Sequence, residues 1–237
     1  NINDRCGSTH MDALAAMVKA GGYDMGIAFD GDADRCLAVD ELGNLIDGDQ
    51  IMAACGLDMK NKGLLPGSTV VATVMSNLGL HIFARENGME LECTDVGDRN
   101  VLERMVEKGY HLGGEQSGHM IFLDHATTGD GQLTALQLLA LLKESGKRAS
   151  EVFGACSRYP QVLINIPVAD NDVKKAAMAS PLLAQAVQRE EDALAGEGRV
   201  LVRPSGTEAL MRGMVEAKTQ PQAQEAAQRL ADLIPEL

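Results

Sequence analysis

Apolar positions along this chain follow two rhythms in turn, one of helical spacing and one of strand spacing. Ser8 or Thr9 is placed to cap a helical segment that runs to about Lys19, and Gly21 and Gly22 end it. The run 25–29 then reads as a strand. After Gly48 and Asp49 a helix is expected from Gln50 to about Lys60. The apolar run 69–74 follows, then a helix from about Asn77 to Glu86, a short strand over 89–93 and a helix over 98–108. Segments 131–144 and 149–157 read as further helices, and Leu133, Leu136, Leu139 and Leu142 of the first are expected to face the core. Strands parted by helices of this length predict an α/β architecture.

Past Tyr159 and Pro160 the rhythm changes. Residues 161–168 alternate as a strand does, a long helical segment spans about 171–195, strands fall near 199–202 and 210–216, and a helix closes the chain over 222–233. That βαββα order predicts an antiparallel sheet with helices on one face, an α+β unit. Turn-rich residues 61–67 and the Tyr159-Pro160 junction, where a hinge is expected, divide the chain into 1–62, 63–158 and 159–237. The first of these lacks an opening strand, so the chain reads as one that begins within a domain.

Composition narrows the partners. The 237 residues suffice for one large domain or two smaller ones with real cores. A net charge of -13 and a pI near 4.8 argue against nonspecific binding to nucleic acid or to an anionic membrane. A phosphorylated ligand would therefore need local positive charge or a metal. Five scattered cysteines with no Cys-x-x-Cys pair disfavour both a disulfide framework and a zinc site, and a reducing cytoplasm fits them best. No apolar run has the length of a membrane span, and the first residues lack signal-peptide character.

Chemistry concentrates in four short stretches. In Asp30-Gly-Asp-Ala-Asp-Arg35 three carboxylates alternate behind an apolar strand, a spacing of hard oxygen ligands that suits Mg²⁺ or Ca²⁺, with Arg35 supplying a cation for a phosphate. A calcium loop of the EF-hand type and a solvated acidic turn are the alternatives. The first is opposed by Arg35 standing where that loop needs glycine, and by flanks that read as strands. A carboxylate loop at the carboxyl end of a buried strand, where open α/β sheets place their ligands, is expected instead. Gly113-Gly-Glu-Gln-Ser-Gly-His119 offers a carboxylate, a hydroxyl and an imidazole from a glycine-rich loop, an inventory suited to sugar hydroxyls. Arg203-Pro-Ser-Gly-Thr-Glu208, with Arg212 four residues on, has two guanidinium groups, hydroxyls and turn N–H groups able to hold a phosphate. Val96-Gly-Asp-Arg99 is expected to supply Asp98 as a helix cap and Arg99 as a ligand contact.

With these loops in this order, the chain resembles the α-D-phosphohexomutase superfamily over essentially all its length, and within it the branch acting on glucosamine phosphate. The runs Thr73–Gly79, Val96–Arg99 and Thr127–Gly131 carry the likeness to that branch. The resemblance implies successive three-layer α/β mixed-sheet domains, the first incomplete, followed by a C-terminal α+β domain with an antiparallel sheet. It implies Mg²⁺ on Asp30, Asp32 and Asp34, a phosphate held by Arg35, and a sugar read by Glu115, Ser117 and His119, with His119 also a candidate acid or base. Arg203, Ser205, Gly206, Thr207 and Arg212 are implied for the nonreacting phosphate, and Arg99 as a further substrate contact.

The sequence departs from the family in having Ala33 where that branch usually carries Gly, Asn100 for Tyr, and Ala209 for Pro. Ala33 restricts left-handed backbone and Ala209 loosens a turn, so weaker metal or phosphate affinity is expected. The family's phosphoserine loop, of Thr/Ser-Ala-Ser-His-Asn type, occurs nowhere in these residues, so this chain alone should not turn over. The function implied is interconversion of glucosamine 6-phosphate and glucosamine 1-phosphate through a bisphosphate, toward UDP-N-acetylglucosamine and the bacterial cell wall. A phosphomannomutase or phosphoglucomutase, and a noncatalytic chain binding Mg²⁺ and sugar phosphate, are the alternatives. The expected partner is glucosamine phosphate or a related hexose phosphate, with no nucleic acid, no membrane, and a homodimer as one possible assembly.

Overall fold

The computed structural model describes residues 2, 4–206 and 208–236. These fall into two compact units, 1–157 and 158–237. No helix among the described residues is long and apolar enough to cross a membrane.

The first unit opens with α1 (Asp12–Gly21). Neither Ser8 nor Thr9 caps it: Met11 precedes the helix without a side-chain cap, and the Ser8 N–H is drawn instead to the Phe29 carbonyl at 3.0 Å. Gly22, at φ 64°, ends it in the left-handed conformation that glycine adopts without strain. Strands β1 (Met25–Phe29) and β2 (Cys36–Asp40) pair antiparallel with Phe29 opposite Cys36, and the short β3 (Leu45–Ile46) adds to β2. The acidic loop thus joins two strands of one hairpin, and β1 is only half-buried, whereas β2 is buried throughout. Both flanks read as strands in the sequence, with the loop expected at the end of a buried one; the pairing of the two runs with each other is what local spacing does not show.

Four further strands build a second sheet. Helix α2 (Gly48–Asn61) starts in a capping box between Asp47 and Gln50. It is followed by β4 (Thr69–Thr73), α3 (Leu78–Glu86), β5 (Glu90–Thr94), α4 (Asp98–Lys108), β6 (Leu112–Gly114) and β7 (Met120–Phe122). Strand β4 runs parallel to β5 and β6, and β7 returns antiparallel on β6. Alternation along β4 builds three layers: Val70 and Ala72 enter the large core with Ile51 and Leu80, while Val71 faces Val101 and Met105 of α4. Helices α5 (Gly131–Ser145) and α6 (Ala149–Phe153) complete the unit. In α5 the core face is Ala135, Leu138 and Leu141, whereas Leu136 and Leu139 are 65% and 45% exposed, so the expected leucine row is corrected. Four residues spaced by three turn through about half the helix circumference, and such a row cannot share one face.

The second unit holds β8 (Gln161–Pro167), α7 (Asn171–Ala179), α8 (Pro181–Ala193), β9 (Arg199–Pro204), β10 (Leu210–Glu216) and α9 (Gln220–Leu233). Its sheet is antiparallel in the order β8-β10-β9. The single long helix expected over 171–195 is two helices. Ser180 takes extended backbone and caps α8, and Pro181 occupies the first turn of α8, where its missing N–H costs nothing. Ala223, Ala226, Ala227 and Leu230 of α9 pack on Val162, Val200 and Val215 of the sheet.

Candidate functional site

The hairpin loop 30–35 gathers the acidic ligands. Single carboxylate oxygens of Asp30, Asp32 and Asp34 all lie within 4.8 Å of one another. The loop is held from inside by the Arg35 N–H, which donates to Asp30 Oδ1 at 3.1 Å, and from outside by the Gly131 N–H, which donates to the Ala33 carbonyl at 2.9 Å. Ala33 adopts φ 60°, the left-handed region that its side chain disfavours. The Arg35 Nε lies 4.0 Å from Asp30 Oδ2, close enough for charge attraction but too far for a hydrogen bond.

The glycine-rich loop 113–119 docks directly on this hairpin. Arg35 and His119 form an antiparallel bridge, and the Cys36 N–H donates to the Gly118 carbonyl at 3.0 Å. His119, only 4% exposed, accepts from the Gly129 N–H at Nε2 (3.1 Å), so the proton sits on Nδ1, which donates to Asp34 Oδ2 at 3.0 Å. Both ring nitrogens are engaged in holding structure. Glu115 accepts from the Gly97 N–H at 3.1 Å through Oε1, and Ser117 Oγ donates to Glu115 Oε2 at 3.4 Å. Gly97, not Asp98, is the N-cap of α4, and Asp98 is its first residue, so the expected cap is corrected. A φ of 129° at Gly97, open to glycine, aims its N–H at Glu115. Arg99 is exposed and pairs with Glu103 one turn along α4, its Nε donating to Oε1 at 2.7 Å. A small cavity of about 160 Å³ lies between Arg99, His119 and Thr128.

Sequence reasoning missed the groups that hold the glycine-rich loop from behind. Asp49 Oδ2, buried at the start of α2, accepts from Gln116 Nε2 at 3.0 Å and from the Asn77 N–H at 2.7 Å. Burial, then the neighbouring Asp47, push the Asp49 carboxyl up to about 7. Gly48 lies so close that a Cβ there would meet the Glu115 carbonyl oxygen at 2.0 Å. An acidic pair at a helix start was visible in the sequence, but its partner loop lies 67 positions away.

The arginine loop of the second unit is the turn between β9 and β10. Arg203 and Arg212 are direct cross-strand partners, with both Nε atoms buried and without hydrogen bonds among the described residues. Burial, then Arg212, hold the Arg203 guanidinium below the usual arginine range. Arg212 Nη2 donates to Glu208 Oε2 at 2.8 Å. Ser205 is buried, its Oγ accepting from the Glu208 N–H at 3.2 Å, and the space beyond Gly206 is open. Thr207 lies outside the described residues. Two like charges facing each other across a strand pair destabilise the bare loop and suit a bound dianion.

A hard cation fits the first loop. The donors are all carboxylate oxygens, and Asp34 Oδ1 is buried without a hydrogen bond among the described residues.

Comparison with known proteins finds matches over nearly the whole chain. The descriptions of phosphoglucomutase/phosphomannomutase alpha/beta/alpha domain II, alpha/beta/alpha domain III and C-terminal domain match residues 3–43, 47–159 and 163–233. The phosphoglucosamine mutase of Pelotomaculum thermopropionicum is 56% identical over 237 residues, which are 100% of this chain and 53% of that protein. That of Ruminiclostridium cellulolyticum is 59% identical over 218 residues, 92% of this chain and 48% of the relative. The N-acetylphosphoglucosamine mutase of Aspergillus fumigatus, solved with GlcNAc-6P and magnesium, shares the fold at TM-score 0.78 and 20% identity, covering 99% of this chain and 53% of its own. The chain spans about half the length of the relatives it matches.

Proposed function

The chain belongs to the phosphoglucomutase/phosphomannomutase family, and from that premise we propose that it is part of a mutase interconverting glucosamine 6-phosphate and glucosamine 1-phosphate. The observation that carries the reading is the Arg35–His119 bridge, which sets the carboxylate triad and the glycine-rich loop side by side in one unit. Glucosamine as the sugar is supported by relatives that bear the name phosphoglucosamine mutase at 51–59% identity.

In this reading Asp30, Asp32 and Asp34 hold Mg²⁺, which when bound neutralises charge on a transferring phosphoryl group. Arg35 attracts the phosphoryl oxygens, Glu115 and Ser117 accept and donate to sugar hydroxyls, and Arg99 is a further contact from the rim. His119 is a positioning residue: its Nδ1–H fixes Asp34, and its Nε2 lone pair is taken by the Gly129 N–H. Arg203, Ser205, Gly206 and Arg212, with Thr207, take the phosphate that is not reacting. Transfer moves the phosphoryl group from a phosphoserine to a sugar hydroxyl. The serine's O–P bond breaks, a bond to the sugar oxygen forms, and the hydroxyl proton ends on the serine oxygen. That serine is assigned to sequence outside these 237 residues. Segments 1–62, 63–158 and 159–237 are accordingly read as metal, sugar and phosphate domains of an enzyme of the cytoplasm that serves amino-sugar synthesis.

Calorimetry of the 237-residue chain tests the reading. Glucosamine 6-phosphate should bind in the presence of Mg²⁺ without being converted. Conversion should appear when the same sequence is carried by a protein with a serine-bearing first half. Equal or better turnover of mannose or glucose phosphate by that protein would move the assignment to the sister activities.

A further inference from the structure

The arginine loop rests on a lysine that no motif in the sequence marks. Lys174, in the middle of α7, is 6% exposed, and its Nζ donates to the Ser205 carbonyl at 2.8 Å and to the Glu208 carbonyl. A buried ammonium costs several kcal/mol unless hydrogen bonds and charge offset it, and an apolar side chain would fill the same space at less cost. Here it grips two backbone oxygens that bracket the turn. A peptide unit is planar and trans, so a carbonyl turned onto Lys174 sends the following N–H the opposite way. The Ser205 carbonyl faces Lys174, and the Gly206 N–H of the same peptide is therefore aimed away from it, at a glycine that is exposed with open space beyond.

We propose that Lys174 is the positioning residue of the anion loop, holding the Ser205 and Glu208 carbonyls inward so that the Gly206 N–H joins Arg203 and Arg212 in receiving a phosphate group. The phosphate role of the loop is taken from the function proposed above; the clamp itself is not. Inward carbonyls also remove two partial negative charges from the side an anion would approach.

The test is Lys174→Met in the 237-residue chain, with Lys174→Gln as a milder variant in case the first does not fold. Hydrogen exchange is followed over residues 203–210, and inorganic phosphate is titrated while the Gly206 amide is monitored. Exchange over 203–210 should accelerate about tenfold or more as both Lys174 bonds are lost, and phosphate should bind about tenfold more weakly, while β8 and α9 keep their rates. Unchanged exchange over 203–210 in a folded variant overturns the proposal. So does acceleration spread evenly over the second unit, which would assign Lys174 to stability alone. If the unaltered chain takes up no phosphate yet loses loop protection without Lys174, the clamp stands and the phosphate reading falls.

Discussion

His119 Nδ1 lies 3.0 Å from Asp34 Oδ2, across 85 positions of sequence, and that bond orients one carboxylate of the acidic triad. The Gly129 N–H on Nε2 makes Nδ1 the donor, so the imidazole serves as a neutral, oriented prop. His119→Gln retains a group near Nε2 and loses the Nδ1 contact. Mg²⁺ should then bind roughly 10–100-fold more weakly, the usual cost of removing a partner that orients a metal ligand. Metal titration of the folded variant checks this, and unchanged affinity would remove His119 from any role in holding Asp34.

Ala33 in the acidic loop stands at φ 60°. The left-handed cost for a residue with Cβ, ~1–2 kcal/mol, exceeds the ~0.5–1 kcal/mol of extra unfolded-chain entropy that glycine brings, so Ala33→Gly should stabilise by about 0.5–1 kcal/mol. Urea unfolding of the two proteins decides it. A lower midpoint for Ala33→Gly would mean that the loop pays no conformational cost at this position.

Asp49 makes stability depend on pH in the direction opposite to a salt-bridged acid. Its carboxyl is pushed up from 3.8 to about 7 in the folded chain, by burial first and Asp47 second, against opposing bonds from Asn77, Ser76 and Gln116. Between pH 4 and 7 the folded state therefore holds a proton that the unfolded state has released. Stability from this group is full below about pH 4 and is lost as pH rises to about 7, with a slope of up to about 1.4 kcal/mol per pH unit. Asp49→Asn should flatten that part of the profile and be the more stable protein at pH 8. Matching profiles for the two proteins across pH 4–8 would show that Asp49 is ionised throughout.

What the sequence made legible was whatever chemistry is contiguous. Asp30, Asp32 and Asp34 sit within five residues, so their convergence follows from one loop, and Arg203 and Arg212 flank a single turn. Where packing decides, local spacing misleads: Leu136 and Leu139 belong to a spacing of three that drifts around α5, and the buried face is set by Ala135, Leu138 and Leu141. Pro181 starts a new helix within a stretch whose spacing is helical on both sides, so spacing alone does not mark the break. Lys174 and Asp49 could not be read at all as site residues, because their partners are backbone and side chains 31 and 67 positions away.

Arg203 and Arg212 should show stability and binding pulling in opposite directions. Facing each other across β9 and β10, with Arg203 held below its usual range by burial and by Arg212, they repel in the bare chain. Replacing one removes the repulsion, so Arg203→Gln should stabilise the phosphate-free protein by about 0.2–1 kcal/mol, the scale of a cross-strand charge pair. The same change removes a charged donor to the anion, and phosphate should bind about 10–100-fold more weakly, since hydrogen bonds to charged groups contribute ~1.5–3 kcal/mol. Thermal melting with and without inorganic phosphate reads both effects at once. The variant should melt higher than the parent in plain buffer and gain less from phosphate. A variant that melts lower in plain buffer would mean that Arg203 stabilises the turn through packing of its stem, and that the facing charges are screened by solvent.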